Sequence, residues 1–125
     1  ISEGASEGTG LGIAFLKHLS RTRLLLHLVD LGQNISAEET ATEIKKLELE
    51  LDKFSSELYK KERWMVFNKT DLIRNAEEKS KMIINELTWQ GPIYRVSAAT
   101  GENMDSLMKN IMYRLKELED EELET

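Results

Sequence analysis

The period of the apolar residues changes several times along the chain, and the changes mark out alternating helices and strands. Residues 24–29, LLLHLV, are a continuous apolar run of strand length that ends in Asp30, Gly32 and Asn34. A run with no polar face needs cover on both sides, which is the pattern of a buried parallel strand. Ser36 with Glu39 three residues later is a capping-box signature, and Ile44, Leu47, Leu51, Phe54 and Leu58 then recur at spacings of three and four. A long helix to about Lys61 is therefore predicted. Residues 64–67 form a second short apolar run, which stops at the polar turn Asn68-Lys69-Thr70-Asp71. A third helix is expected from near Asn75, with Ile83, Ile84 and Leu87 turned inward and Gly91-Pro92 as its stop. Residues 93–96 give the third strand and residues 97–101 another polar turn. Met104, Leu107, Met108, Ile111 and Leu115 mark the inner face of a closing helix, with the methionines read as core filling. Ahead of the first strand, Leu11, Phe15, Leu16 and Leu19 suggest a short helix ending near Arg21. Before it lies a loop, residues 1–12, that holds Gly4, Gly8, Gly10 and Gly12.

This order predicts an α/β unit with about three parallel strands and four helices. Ligand sites in such sheets lie outside the carboxyl ends of the strands, and both polar turns fall at that edge. A length of 125 residues is enough for one domain, and a composition of 40% hydrophobic and 32% charged residues excludes a wholly disordered chain. There is no cysteine, which removes disulfides, thiolate metal sites and thiol nucleophiles. His18 and His27 lack zinc-binding spacing, so no metal ligand is expected. No apolar run reaches the roughly 18 residues of a membrane span and no signal-peptide layout opens the chain, so a cytoplasmic protein without membrane contact is the expectation.

The net charge of −6, from 17 basic and 23 acidic residues, is concentrated at one end. Residues 117–125, ELEDEELET, carry six acids and no base, which leaves residues 1–116 balanced. A neutral body with an acidic tail has no general attraction for phosphate backbones, so direct nucleic-acid binding is not expected. The tail itself reads as a solvated, frayed end.

The chemistry is expected at the two turns. Asn68-Lys69-Thr70-Asp71 has the form N-K-x-D directly after a strand, and Ser97-Ala98-Ala99-Thr100 follows the next strand. The Watson–Crick edge of guanine offers an N1 hydrogen beside an N2 amino group, and the Asp71 carboxylate can accept both. Adenine offers neither donor there, so the same site would reject it. Lys69 can lay its methylene stem along the base face, and Asn68 can bind the base edge or tie the two turns together. The Ala98 N–H suits the guanine O6, with Ser97 bracing the loop. The alternative is that Asn68 and Asp71 are simple turn formers.

The paired motifs resemble the guanine-recognition half of a translation-factor-type GTPase. The opening ISEGASEGTGLGIAFLKHLSRT is similar, more narrowly, to the segment that follows the D-x-P-G motif in the Obg family of bacterial GTPases, through Glu3, Gly4, Ala5, Gly10, Leu11, Gly12, Phe15, Leu16, Lys17, His18, Arg21 and Thr22. The resemblance runs nearly to the acidic tail. It implies a three-layer P-loop GTPase fold, of which this is the C-terminal part, with residues 1–12 as a remnant of the second switch. Asn68, Lys69, Asp71, Ser97, Ala98 and Ala99 would contact the nucleotide. The implied parent binds GTP and GDP with Mg²⁺, hydrolyses GTP and acts in assembly of the large ribosomal subunit.

No G-x-x-x-x-G-K-[ST] phosphate loop occurs in the sequence, so this chain is expected to carry no catalytic residue and not to hydrolyse GTP alone. His18 and Arg21 read as helix-surface residues. A G-x-G-x-G run at Gly8, Gly10 and Gly12 follows no strand and is not a dinucleotide fingerprint. A second class of function remains open, a non-enzymatic module that binds a protein partner through the switch segment and the long helix. In the implied complete fold the first strand pairs with one that precedes the phosphate loop, so here it is expected to have an open edge.

Overall fold

The computed structural model describes residues 12–124. The element order is α1 (Gly12–Leu19), β1 (Leu25–Asp30), α2 (Ala37–Phe54), α3 (Ser56–Lys60), β2 (Arg63–Asn68), a 3₁₀ turn (Thr70–Leu72), α4 (Ala76–Leu87), β3 (Ile93–Arg95) and α5 (Met104–Glu124). The strands form a parallel sheet in the order β1-β2-β3, with Asp30 opposite Asn68 and Phe67 opposite Arg95. This is an α/β fold in three layers. The glycine-rich opening, including Leu11 and the switch-like residues 1–11, lies outside the described residues.

β2 explains why its sequence has no polar face. Met65 and Phe67 pack with Val29 against Ala37, Ala41 and Ile44 of α2 and Ile83 of α4. Trp64 and Val66 face the other way and pack with Val96 against Leu107 of α5, with Met104 and Ile111 alongside. A third cluster joins Leu25 to Leu16 and Leu19 of α1, Leu47 and Leu51 of α2, and Leu58 of α3. The sheet is thus covered by α1 to α4 on one face and by α5 on the other.

The expected long helix is in fact two. Ser55 adopts an extended backbone, φ −166° and ψ 128°; its N–H closes α2 on the Leu51 carbonyl, and its Oγ accepts the Leu58 N–H at 3.2 Å to cap α3. One serine therefore ends one helix and starts the next, and Leu58 still reaches the core. The acidic segment also differs from a frayed end, because α5 continues through it to Glu124. Its opposing charges lie elsewhere in the chain: Arg23 donates to both carboxylate oxygens of Glu122, each at 2.9 Å. About two turns inward, Arg114 donates to both oxygens of Glu62, at 2.8 to 3.1 Å, and lies near Glu117 and Glu121. The hydrogen bond from Arg114 holds the Glu62 carboxyl below its ordinary range.

Core filling describes Met65, and Met104 packs at the edge of the α5 cluster. Met82 of α4 is exposed, as are Met108, Met112 and Leu115 of α5, whose packed side is formed by Met104, Leu107 and Ile111. On β1, Leu28 is 62% exposed, and β1 has no strand on its outer side among the described residues. No described helix is long and apolar enough to cross a membrane.

Candidate functional site

The carboxyl ends of the three strands place the two polar turns side by side. β2 ends at Asn68, and the chain reverses at Lys69, whose backbone is left-handed at φ 65° and ψ 33°, before entering the 3₁₀ turn. Few residues other than glycine adopt that conformation without cost, so Lys69 is held there by its surroundings. The Asn68 side chain supplies part of the hold, its Oδ1 accepting the Lys69 N–H at 2.8 Å.

The same Asn68 oxygen accepts the Ala98 N–H at 3.0 Å, across 30 residues of sequence. Of the two roles open to Asn68, tying the turns together is the one present. Thr70 adds a second tie, its Oγ1 donating to the Val96 carbonyl at 3.1 Å. Ser97 is fully buried and works in both directions: its Oγ donates to Asp71 Oδ1 at 2.7 Å and accepts the Thr100 N–H at 3.1 Å. Ser97 thus braces its own loop and fixes the Asp71 carboxylate of the other. Gly101, at φ 84°, closes the second turn by donating to the Ser97 carbonyl at 2.8 Å.

These contacts leave an exposed rim made of Lys69, Asp71, Ala98 and Ala99 over a buried brace. Asp71 is an acceptor anchored at one oxygen, and the Ala98 N–H is a donor a short distance away on the neighbouring loop. That N–H is shared with Asn68, so an incoming acceptor would enter as a second partner. Lys69 does not lie free over the rim. Its ammonium donates to Asp30 Oδ2 at 2.7 Å, and its stem crosses Gly32, where an added Cβ would stand 3.2 Å from Lys69 Cδ. The hydrogen bond from Lys69, with help from the Gly32 N–H, holds the Asp30 carboxyl below its ordinary range.

Asp30 and Gly32 therefore join the site. The signal for them is positional: Asp30 ends β1 directly opposite Asn68 in register, so anything reaching sideways from the β2 turn meets it. His18 and Arg21, by contrast, are exposed and far from the turns in the sheet, at the end where the strands begin. A cavity of about 590 Å³ opens on the other flank of Thr70, between Arg74, Arg95 and Asn103, and does not include Asn68, Asp71 or Ser97. No group of three or more His, Asp or Glu side chains is placed to hold a metal among the described residues. No protein-family model matches the sequence.

Proposed function

We propose that the two turns are the base-recognition half of a guanine-nucleotide site, and that the chain is the corresponding part of an Obg-type GTPase. The observation that carries this reading is the pair of cross-turn contacts, Asn68 to the Ala98 N–H and Ser97 to Asp71. They fix a carboxylate acceptor next to a backbone donor, which is the complement of the N2, N1 and O6 order along the guanine edge.

In this reading Asp71 accepts the guanine N1–H and N2–H while the Ala98 N–H serves O6. Ser97 keeps Asp71 from turning away, and Asn68 keeps the loops at one separation. Adenine would set an acceptor against the Asp71 carboxylate, and an unpaired, desolvated carboxylate is costly enough to discriminate by about 10⁴ in favourable sites. The chain holds no phosphate-loop motif, so the triphosphate, the Mg²⁺ and the hydrolytic step fall to groups outside these turns, and no residue here acts on the reacting bond. In the intact protein the GTP and GDP states would serve assembly of the large ribosomal subunit, in the cytoplasm.

The test is an amide NMR titration of the chain with GDP, ADP and XDP at millimolar concentration. Shifts at residues 68–71 and 97–99 are expected with GDP and not with ADP. Asp71→Asn should move the preference toward XDP, since the amide can donate to the additional carbonyl of xanthine. A preference that stays with guanine in that variant would refute the assignment and leave the turns as structure in a protein-binding module.

A further inference from the structure

The geometry points to Asp30 as the positioning residue that holds the Lys69 stem as a preformed surface for the base, with Gly32 as the gap it lies in. This rests on the base-recognition reading above and names a group on a different strand. Lys69 is fixed from both ends. At one end its left-handed backbone and the Asn68 oxygen set where the side chain leaves the turn. At the other its ammonium donates to Asp30 Oδ2 at 2.7 Å.

Asp30 is itself prevented from following the lysine, because its second oxygen accepts the Gly32 N–H at 2.8 Å. Between the two ends the methylenes pass over Gly32. A Cβ at that position would meet Lys69 Cδ at 3.2 Å, Asp30 Oδ1 at 3.1 Å and Leu72 Cδ1 at 3.2 Å, so a side chain at Gly32 would crowd the stem and the Asp30 oxygen together and make them give by a few tenths of an ångström.

An ion pair this exposed contributes little to folding: the Lys69 and Asp30 side chains are 47% and 33% exposed. Yet two further hydrogen bonds converge on it, from the Lys69 N–H to Asn68 and from the Gly32 N–H to Asp30, and what they accomplish is order in a lysine stem that otherwise samples many rotamers. An ordered row of methylenes beside the Asp71 turn is an apolar strip against which a planar base can lie without first immobilising the chain. Asp30 thus acts on affinity for any purine that enters, whereas Asp71 acts on which purine it is.

The experiment compares the full chain with Asp30→Asn and Gly32→Ala by NMR, following the Lys69 methylene resonances and titrating GDP and XDP. In the free wild-type chain the Lys69 δ and ε protons should be dispersed, and in both variants they should collapse toward averaged positions. The GDP dissociation constant should rise about three- to tenfold in each variant, the size expected when one long side chain must be immobilised on binding. The ratio of GDP to XDP affinity should not move, and neither should the urea midpoint. Equal GDP affinity in wild type and Asp30→Asn would overturn the inference while leaving base recognition standing. So would Lys69 resonances unaffected by the substitution, or a base ratio that shifts with the affinity. Absence of any guanine-dependent shift in the wild-type chain is a separate outcome, which refutes the base-recognition reading and this inference with it.

Discussion

Replacing Asn68 by alanine isolates the contact on which the arrangement of the two turns depends. The substitution removes one oxygen and with it two hydrogen bonds, to the Lys69 N–H at 2.8 Å and the Ala98 N–H at 3.0 Å. A neutral hydrogen bond contributes a net of about 0.5–1.5 kcal/mol, so the pair has a ceiling near 3 kcal/mol. Lys69 and Ala98 are both exposed, and their freed N–H groups can turn to water, which places the cost in the lower half of that range, about 1–1.5 kcal/mol. In a chain of this length that lowers the melting temperature by about 3–6 °C. Urea unfolding followed through Trp64, buried within β2, reads the global effect. Hydrogen exchange at the Lys69 and Ala98 amides reads the local one. Asn68→Asp is the control, because it keeps an acceptor in the same place and should retain most of the stability and the slow exchange. If the alanine variant unfolds at the wild-type midpoint with Ala98 exchange unchanged, or if the aspartate variant is as unstable as the alanine one, the tie between the turns is not what holds them.

Two further outcomes follow from the sheet. His27 is buried, and burial, followed by the nearby Arg63 charge, pushes its pKa from 6.5 down to about 3. The unfolded chain therefore binds a proton between those values that the folded chain does not, so stability is fully present above pH 6.5 and declines as the pH falls toward 3. His27→Leu should flatten that part of the curve in urea titrations at stepped pH, and an unchanged slope would refute the assignment. At the open edge, β1 with its exposed Leu28 should pair with a second chain at high concentration, and Leu28→Lys should suppress this in sedimentation velocity. A wild-type chain that stays monomeric throughout the concentration series counts against it.

Much of the fold is legible in the sequence for a physical reason that differs from element to element. Residues 64–67 are apolar throughout because β2 is covered on both faces, so a short run without alternation already identifies a central strand. The turns are legible because strands stop where polar residues with backbone-bonding side chains begin, and Asn68, Asp71 and Ser97 are such residues. The break at Ser55 is hidden, since Leu51 and Leu58 are seven residues apart and keep the spacing of one uninterrupted helix while a single capping hydroxyl divides them. The helical state of residues 117–124 is hidden for another reason. Besides Arg114 and Lys116 on the helix itself, an opposing charge comes from Arg23, which lies 99 residues from its partner. The exposure of Met108 and Leu115 reflects which side of α5 meets the sheet, through Met104, Leu107 and Ile111, and spacing alone does not limit how wide that side is. At the site, residue types identify Asp71 and Ser97, whereas the part played by Asp30 and Gly32 emerges only from strand register.

The left-handed backbone at Lys69 has a consequence for anyone who would redesign this protein. A residue with a Cβ in that conformation gives up about 1–2 kcal/mol relative to glycine. Glycine at this position would relieve the strain and would also delete the stem and its ammonium. A thermostability screen blind to ligand would then favour the substitution and report success, enriching for molecules that fold better and, under the proposed function, hold a base worse. The lysine is a residue that optimisation of the fold alone would discard.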